Sequence, residues 1–80
     1  MPEVFRRDGW KYFFYANEGS PREPVHVHVR RGRDEAKYWL RPFVRLAYND
    51  GLNQRELKDT MAVVMAERGR IEEVWNEFFA

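Results

Sequence analysis

Pro24-Val25-His26-Val27-His28-Val29-Arg30 is the stretch that decides the fold. Valine alternates with histidine at the two-residue period of a β-strand. Val25, Val27 and Val29 therefore share one face, and His26 and His28 share the other. The alternation resumes after a turn. Arg31-Gly32-Arg33-Asp34 reads as a four-residue hairpin loop and Glu35 to Arg41 as the returning strand. This register sets Arg30 opposite Glu35, His28 opposite Lys37 and His26 opposite Trp39. On the reverse face Val29 meets Ala36, Val27 meets Tyr38 and Val25 meets Leu40, a uniformly apolar surface that has to be covered.

Upstream, Val4 to Arg7 and Trp10 to Ala16 are β-like runs separated by Asp8-Gly9, a strong two-residue hairpin signal. Pairing outward from that turn opposes Arg7 to Trp10, Arg6 to Lys11, Phe5 to Tyr12 and Val4 to Phe13. Phe5, Arg7, Trp10, Tyr12 and Phe14 form the expected core face. Val4, Arg6, Lys11, Phe13 and Tyr15 form the other. Residues 17–24 read as a turn-rich, mobile loop leading into the histidine strand.

Downstream, Pro42 ends the fourth strand or marks an edge. Phe43 to Ala47 offers a short fifth strand, and Tyr48-Asn49-Asp50-Gly51 reads as a turn. Asn53 and Glu56 have the spacing of a capping box, so a helix is expected to start there, with Leu57, Met61, Val64 and Met65 recurring at helical spacing. Gly69 offers a C-cap or a kink. A second helix follows, carrying Ile71, Val74, Trp75, Phe78 and Phe79 near one face. The order predicts an α+β fold in one domain, residues 1–80: a small antiparallel β-sheet of four or five strands, built from two hairpins, followed by two C-terminal helices packed on one face. The opposite face is expected to stay open, presenting His26, His28, Arg30, Lys37 and Trp39.

The chain of 80 residues carries 44% hydrophobic and 16% aromatic residues, enough for a packed core. A domain of this size buries about 60% of its unfolded surface, too little to hide every large ring, so some aromatics are expected to face a partner or a second copy of the chain. The absence of cysteine excludes disulfides and thiolate metal sites. No run has the length of a membrane span and no signal peptide is evident, so a cytoplasmic protein is expected. The net charge of +1 hides an asymmetry: residues 1–48 carry ten basic against six acidic side chains, and residues 49–80 four against seven. Arginine supplies eleven of the fourteen basic residues, which suits bidentate contact with phosphate or carboxylate. A polyanionic partner for the basic half follows.

Three chemistries compete at the histidine pair. A zinc site wants three or four ligands, and only Glu18, Glu23 and Glu35 are within reach to complete it, with Lys37 repelling the cation, so no metal or other cofactor is expected. Acid–base work fits the neighbours better. Cations beside an imidazole favour its neutral form, the form a general base needs, and Lys37 and Arg30 can hold charge on a phosphate. The third reading is a plain binding surface. Trp39, Phe13 and Tyr15 lie beside cations in the manner of platforms for single-stranded nucleic acid.

Phe13-Phe14-Tyr15-Ala16-Asn17-Glu18-Gly19, the phrase Pro24 to Val29, and Glu35-Ala36-Lys37-Tyr38-Trp39-Leu40 together resemble a family of small bacterial proteins described as a domain of unknown function. Asn53-x-x-Glu56-Leu57 and Trp75-Asn76-Glu77-Phe78-Phe79 fit as well, so the resemblance spans nearly the whole chain. Pro24-Val25-His26 stands where the family commonly has Pro-Pro-His, and the tract Arg41 to Leu46 is about a residue longer than usual. Family members are often encoded beside another small domain, in pairs that look like type II toxin–antitoxin modules, and they resemble the toxin side. The resemblance implies a cognate small antitoxin as partner and RNA or translation as target. Two expectations result. One is a toxin acting on RNA through His26, His28 and Lys37 as catalytic groups, with Arg6, Lys11, Tyr15, Arg30 and Trp39 holding substrate. The other is a non-catalytic module that binds nucleic acid or protein.

Overall fold

A computed structural model describes residues 2–18 and 23–80. Five strands, β1 (Glu3–Arg7), β2 (Trp10–Phe13), β3 (His26–Arg31), β4 (Asp34–Trp39) and β5 (Arg45–Asp50), form one antiparallel sheet in chain order. Two helices follow, α1 (Gln54–Ala66) and α2 (Arg68–Phe78).

The local chemistry accounts for the connections. Asp8 and Gly9 both take positive φ, 54° and 82°, the geometry a two-residue hairpin turn demands. Three of the four expected β1–β2 pairs form; beyond Phe5 a bulge at Val4 brings Glu3 opposite Phe13. The β3–β4 register is the expected one at all five pairs from Arg30–Glu35 to His26–Trp39. The loop between them is tighter than expected. Arg31 and Asp34 pair, leaving Gly32 (φ 61°) and Arg33 to turn the chain.

Three expectations are corrected. Strand β2 stops at Phe13, and Ala16–Glu18 instead forms one turn of 3-10 helix. Tyr48, Asn49 and Asp50 belong to β5 rather than to a turn, because they pair with Lys37, Ala36 and Glu35; the turn falls at Gly51 (φ 109°). Gly69 is no cap: α1 ends at Ala66 with Glu67 as its C-cap, and Gly69 lies in the first turn of α2. The mobile loop expected at 17–24 falls largely on residues 19–22, outside the described residues.

The capping box at α1 is complete. Glu56 N–H donates to the Asn53 side chain at 2.8 Å, and Asn53 N–H donates to the Glu56 carboxylate at 3.0 Å. The core lies between the helices and one sheet face. It gathers Phe5, Trp10, Tyr12, Val27, Val29, Ala36, Tyr38 and Leu40 from the sheet and Val64, Ile71 and Trp75 from the helices. Arg7, expected on this face, is half-buried and reaches its rim, donating to Glu67 at 3.0 Å. Tyr38 ties β4 to α1. Its buried hydroxyl lies 3.0 Å from the Leu57 carbonyl and 2.8 Å from Thr60 Oγ1, and burial raises its pKa above the ordinary phenol value.

Candidate nucleic-acid interface

The registers lay out the face opposite the helices in rows across the sheet. Arg6, Lys11, Arg30, Glu35 and Asp50 form one row. Glu3, Phe13, His28, Lys37 and Tyr48 form the next, and His26, Trp39 and Arg45 a third. The face carries the expected side chains, but its centre is not open.

His26 and His28 are buried, at 0% and 3% exposure. This corrects the expectation of two imidazoles presented to solvent. Aromatic packing is the cause. The His28 ring stacks on Phe13, with centroids 5.5 Å apart, beneath the edge of Tyr15 at 4.6 Å. His26 sits between His28, Trp39 and Trp75, at 5.2, 5.4 and 4.9 Å, so α2 reaches the end of β3 and seals it. Phe13 itself is fully buried. The valine–histidine alternation therefore fills two layers, the main core and a smaller aromatic one behind the sheet.

Each imidazole is held by a specific polar contact. His26 Nδ1 lies 2.9 Å from the Pro24 carbonyl, an acceptor only, so Nδ1 carries the proton. His28 Nδ1 lies 3.4 Å from Glu35 Oε2 and 3.4 Å from the Tyr48 hydroxyl. Glu35 in turn accepts from Tyr48 at 2.5 Å and from Tyr15 at 3.0 Å. Glu35 thus gathers two phenols and one imidazole, a cluster that reaches solvent at Tyr48, which is 42% exposed.

Lys37 reaches from the second row toward the third. Its ammonium donates to Glu23 at 3.1 Å and stands 4.3 Å from the centre of the Trp39 ring. Arg45 approaches the same indole from the neighbouring strand, at 6.0 Å, and the Phe43 ring at 5.6 Å. Arg45 also donates to the Arg41 carbonyl at 2.6 Å, which fixes its direction. Phe43 is 61% exposed, the most open large apolar residue among those described. Arg41 pairs with Glu72 at 2.6 Å, and that carboxylate holds the guanidinium above its ordinary pKa. Burial alone would push Glu72 up, but hydrogen bonds from Arg41 and Arg68 outweigh it and hold the carboxyl below its ordinary value.

The expected site residues therefore separate into three groups. Lys37 and Trp39 come together on the surface with Arg45 and Phe43. His26, His28 and Tyr15 lie beneath or beside them in the aromatic layer. Arg6, Lys11 and Arg30 line up at the far end of the sheet: Arg6 is paired with Glu3 at 3.0 Å, Lys11 stands 5.3 Å from the Phe13 ring, and Arg30 donates to the Gly32 carbonyl at 3.1 Å. Among the described residues no cluster of three histidine or carboxylate side chains is placed to hold a metal ion. Among the described residues no helix is long and apolar enough to cross a membrane.

Sequence reasoning missed Phe43, Arg45 and Tyr48. For the first two the signal was present: Arg41, Phe43 and Arg45 alternate at the period of two that puts them on one side of an extended chain, whereas Tyr48 joins that face only through the bulge at Ala47.

Planar rings flanked by cations at the accessible edge of a sheet face suit an extended polyanion with stacking groups, which is the chemistry of single-stranded nucleic acid. The comparisons with known proteins bear on kinship rather than on chemistry. No curated protein and no solved structure matches the chain. The model of one family, the domain of unknown function DUF4160, matches residues 9–76 and so takes in every strand after β1 and both helices but for the last two residues of α2. The chain belongs to the DUF4160 family.

Proposed function

We propose that the protein is the toxin of a two-component toxin–antitoxin module and acts by binding RNA on the surface built by Lys37, Trp39, Phe43 and Arg45. The toxin assignment is supported by the resemblance of the family to the toxin side of such pairs. The RNA assignment is supported by one observation above all: the indole of Trp39 carries Lys37 at 4.3 Å and Arg45 at 6.0 Å, beside a largely exposed Phe43. A base stacking on such rings brings its phosphates to the cations. In this reading His26 and His28 are positioning residues that support the platform from below. A cognate antitoxin neutralises the protein by covering the platform.

Induced expression in a bacterial host tests the assignment. The wild type arrests growth, and the Trp39→Ala/Arg45→Ala variant, accumulating to the same level, does not. Equal arrest by both proteins, or no arrest by the wild type, contradicts it.

A second reading, RNA cleavage, is favoured by the Tyr48–Glu35–His28 cluster, where one carboxylate gathers a partly exposed phenol and an imidazole. Purified protein incubated with mixed RNA separates the two. Chelator-resistant cleavage that is lost in Tyr48→Phe supports the enzyme. Salt-sensitive binding with intact RNA supports the platform alone.

A further inference from the structure

Strand β5 ends the sheet. It pairs with β4 on one side, and its other edge closes the strand order. Sheet edges are usually blunted by lysine, proline or inward-facing charge. The segment Arg45-Leu46-Ala47-Tyr48-Asn49-Asp50 has neither lysine nor proline, and its charges stand only at its two ends, with opposite sign. It is also open on both faces: Leu46 is 41% exposed on the helix side and Tyr48 42% exposed on the other. Leu46 lines an apolar groove of about 280 Å³ with Tyr38, Leu57 and Met61.

The bulge at Ala47 has a consequence for the charges. Five residues apart, Arg45 and Asp50 would lie on opposite faces of a regular strand. The extra residue returns both to one face, since Arg45 pairs with Trp39 and Asp50 with Glu35, which share that face. Antiparallel pairing of β5 with a copy of itself, centred between Ala47 and Tyr48, then puts Arg45 of each copy directly opposite Asp50 of the other. Directly opposed residues share a face, so two complementary ion pairs close the ends of the contact.

The other edge, β1, does not offer this. Its Arg6 and Arg7 are already paired within the chain, with Glu3 and Glu67 at 3.0 Å each. Among the described residues Arg45 and Asp50 are in no ion pair. Arg45 is held by the Arg41 carbonyl and the neighbouring rings but by no carboxylate, so the charge pattern of β5 is self-complementary.

We propose that β5 is a self-association edge: two copies of this chain pair their β5 strands antiparallel into one ten-stranded sheet, with Arg45 of each facing Asp50 of the other. The contact is isologous, with a two-fold axis perpendicular to the sheet. Both Trp39 surfaces then lie on the same side of the double sheet. The proposal shares Arg45 with the RNA surface, but it stands on the strand edge and its charges, and its test reads sedimentation without RNA.

Analytical ultracentrifugation of the full chain over a roughly hundredfold concentration range tests it by mass action. The wild type is expected to sediment as a dimer. Arg45→Asp and Asp50→Arg, each setting like charges opposite one another, are expected to shift to monomer with circular dichroism unchanged. The double charge swap is expected to restore the dimer. A wild type that stays monomeric throughout overturns the proposal, as does a dimer indifferent to both single swaps or a double swap that fails to rescue. Hydrogen exchange of the wild type is the second readout, needing no variant. Protection of β5 amides must rise with protein concentration. Protection that appears only on adding a different protein assigns the edge to that partner and overturns self-pairing.

Discussion

The ammonium of Lys37 stands 4.3 Å from the centre of the Trp39 indole while donating to Glu23 at 3.1 Å. The carboxylate fixes the cation over the ring, and the Lys37 side chain is only 13% exposed. A partly desolvated cation over indole contributes about 1–2 kcal/mol, so the pair is a preorganised unit rather than two free side chains. Arg45 completes it from β5 and, unlike Lys37, has its guanidinium directed by a backbone carbonyl.

Arg45→Ala is expected to weaken RNA binding uniformly across sequences. It should also lower the slope of log K against log salt by about 1, because one phosphate contact is lost. Binding isotherms at several salt concentrations check this, and an unchanged slope excludes Arg45 from phosphate contact.

His28→Ala is expected to destabilise the protein by about 2–4 kcal/mol, since it opens a void between Phe13 and Tyr15 and leaves Glu35 without its imidazole neighbour. Urea denaturation checks this. A loss below roughly 0.5 kcal/mol, the range of ordinary surface changes, would show that the ring is not a packing element.

Tyr38→Phe removes a buried hydroxyl that lies against Leu57 and Thr60 at the β4–α1 contact. The expected cost is about 1–2 kcal/mol with an unchanged urea m-value, since the variant alters one contact and not the surface exposed on unfolding.

Glu72 sets a pH dependence. Its carboxyl is held below the ordinary value by Arg41 and Arg68, so the native state binds its proton less readily than the unfolded chain does. The stabilisation is therefore complete above the ordinary carboxylate pKa and is lost as pH falls through the depressed native value. Glu72→Gln is expected to be less stable than wild type at neutral pH, and the difference is expected to narrow toward acid. Thermal melts from neutral to acid pH check both the sign and the window.

Much of the architecture was legible in local pattern. The Val25–Val29 alternation, Asp8-Gly9 and the Asn53–Glu56 spacing each encode geometry within a few residues, and the strand pairing and the α1 cap follow from them. The fate of the histidine face was not legible in the same way. Alternation says that His26 and His28 leave the valine face, but not that Phe13 and Tyr15 from one other segment and Trp75 from a second close over them. The turn expected at Tyr48–Gly51 failed because Asn49 and Asp50 have turn chemistry, yet the β4 ladder claims them. The site shifted for the same reason. Once β5 extends to Asp50, Arg45 and Tyr48 fall beside Trp39 and Lys37, and the accessible chemistry moves to that edge of the sheet.

Tryptophan fluorescence during titration with single-stranded RNA tests the central claim most directly. Trp10 and Trp75 are 4% and 3% exposed, whereas Trp39 is half-buried beside its cations. The account predicts saturable quenching that is abolished in Trp39→Phe, together with an affinity lowered by about 1–3 kcal/mol in Trp39→Ala, the worth of one stacked base. RNA binding of undiminished affinity in Trp39→Ala, or quenching that persists in Trp39→Phe, would contradict it.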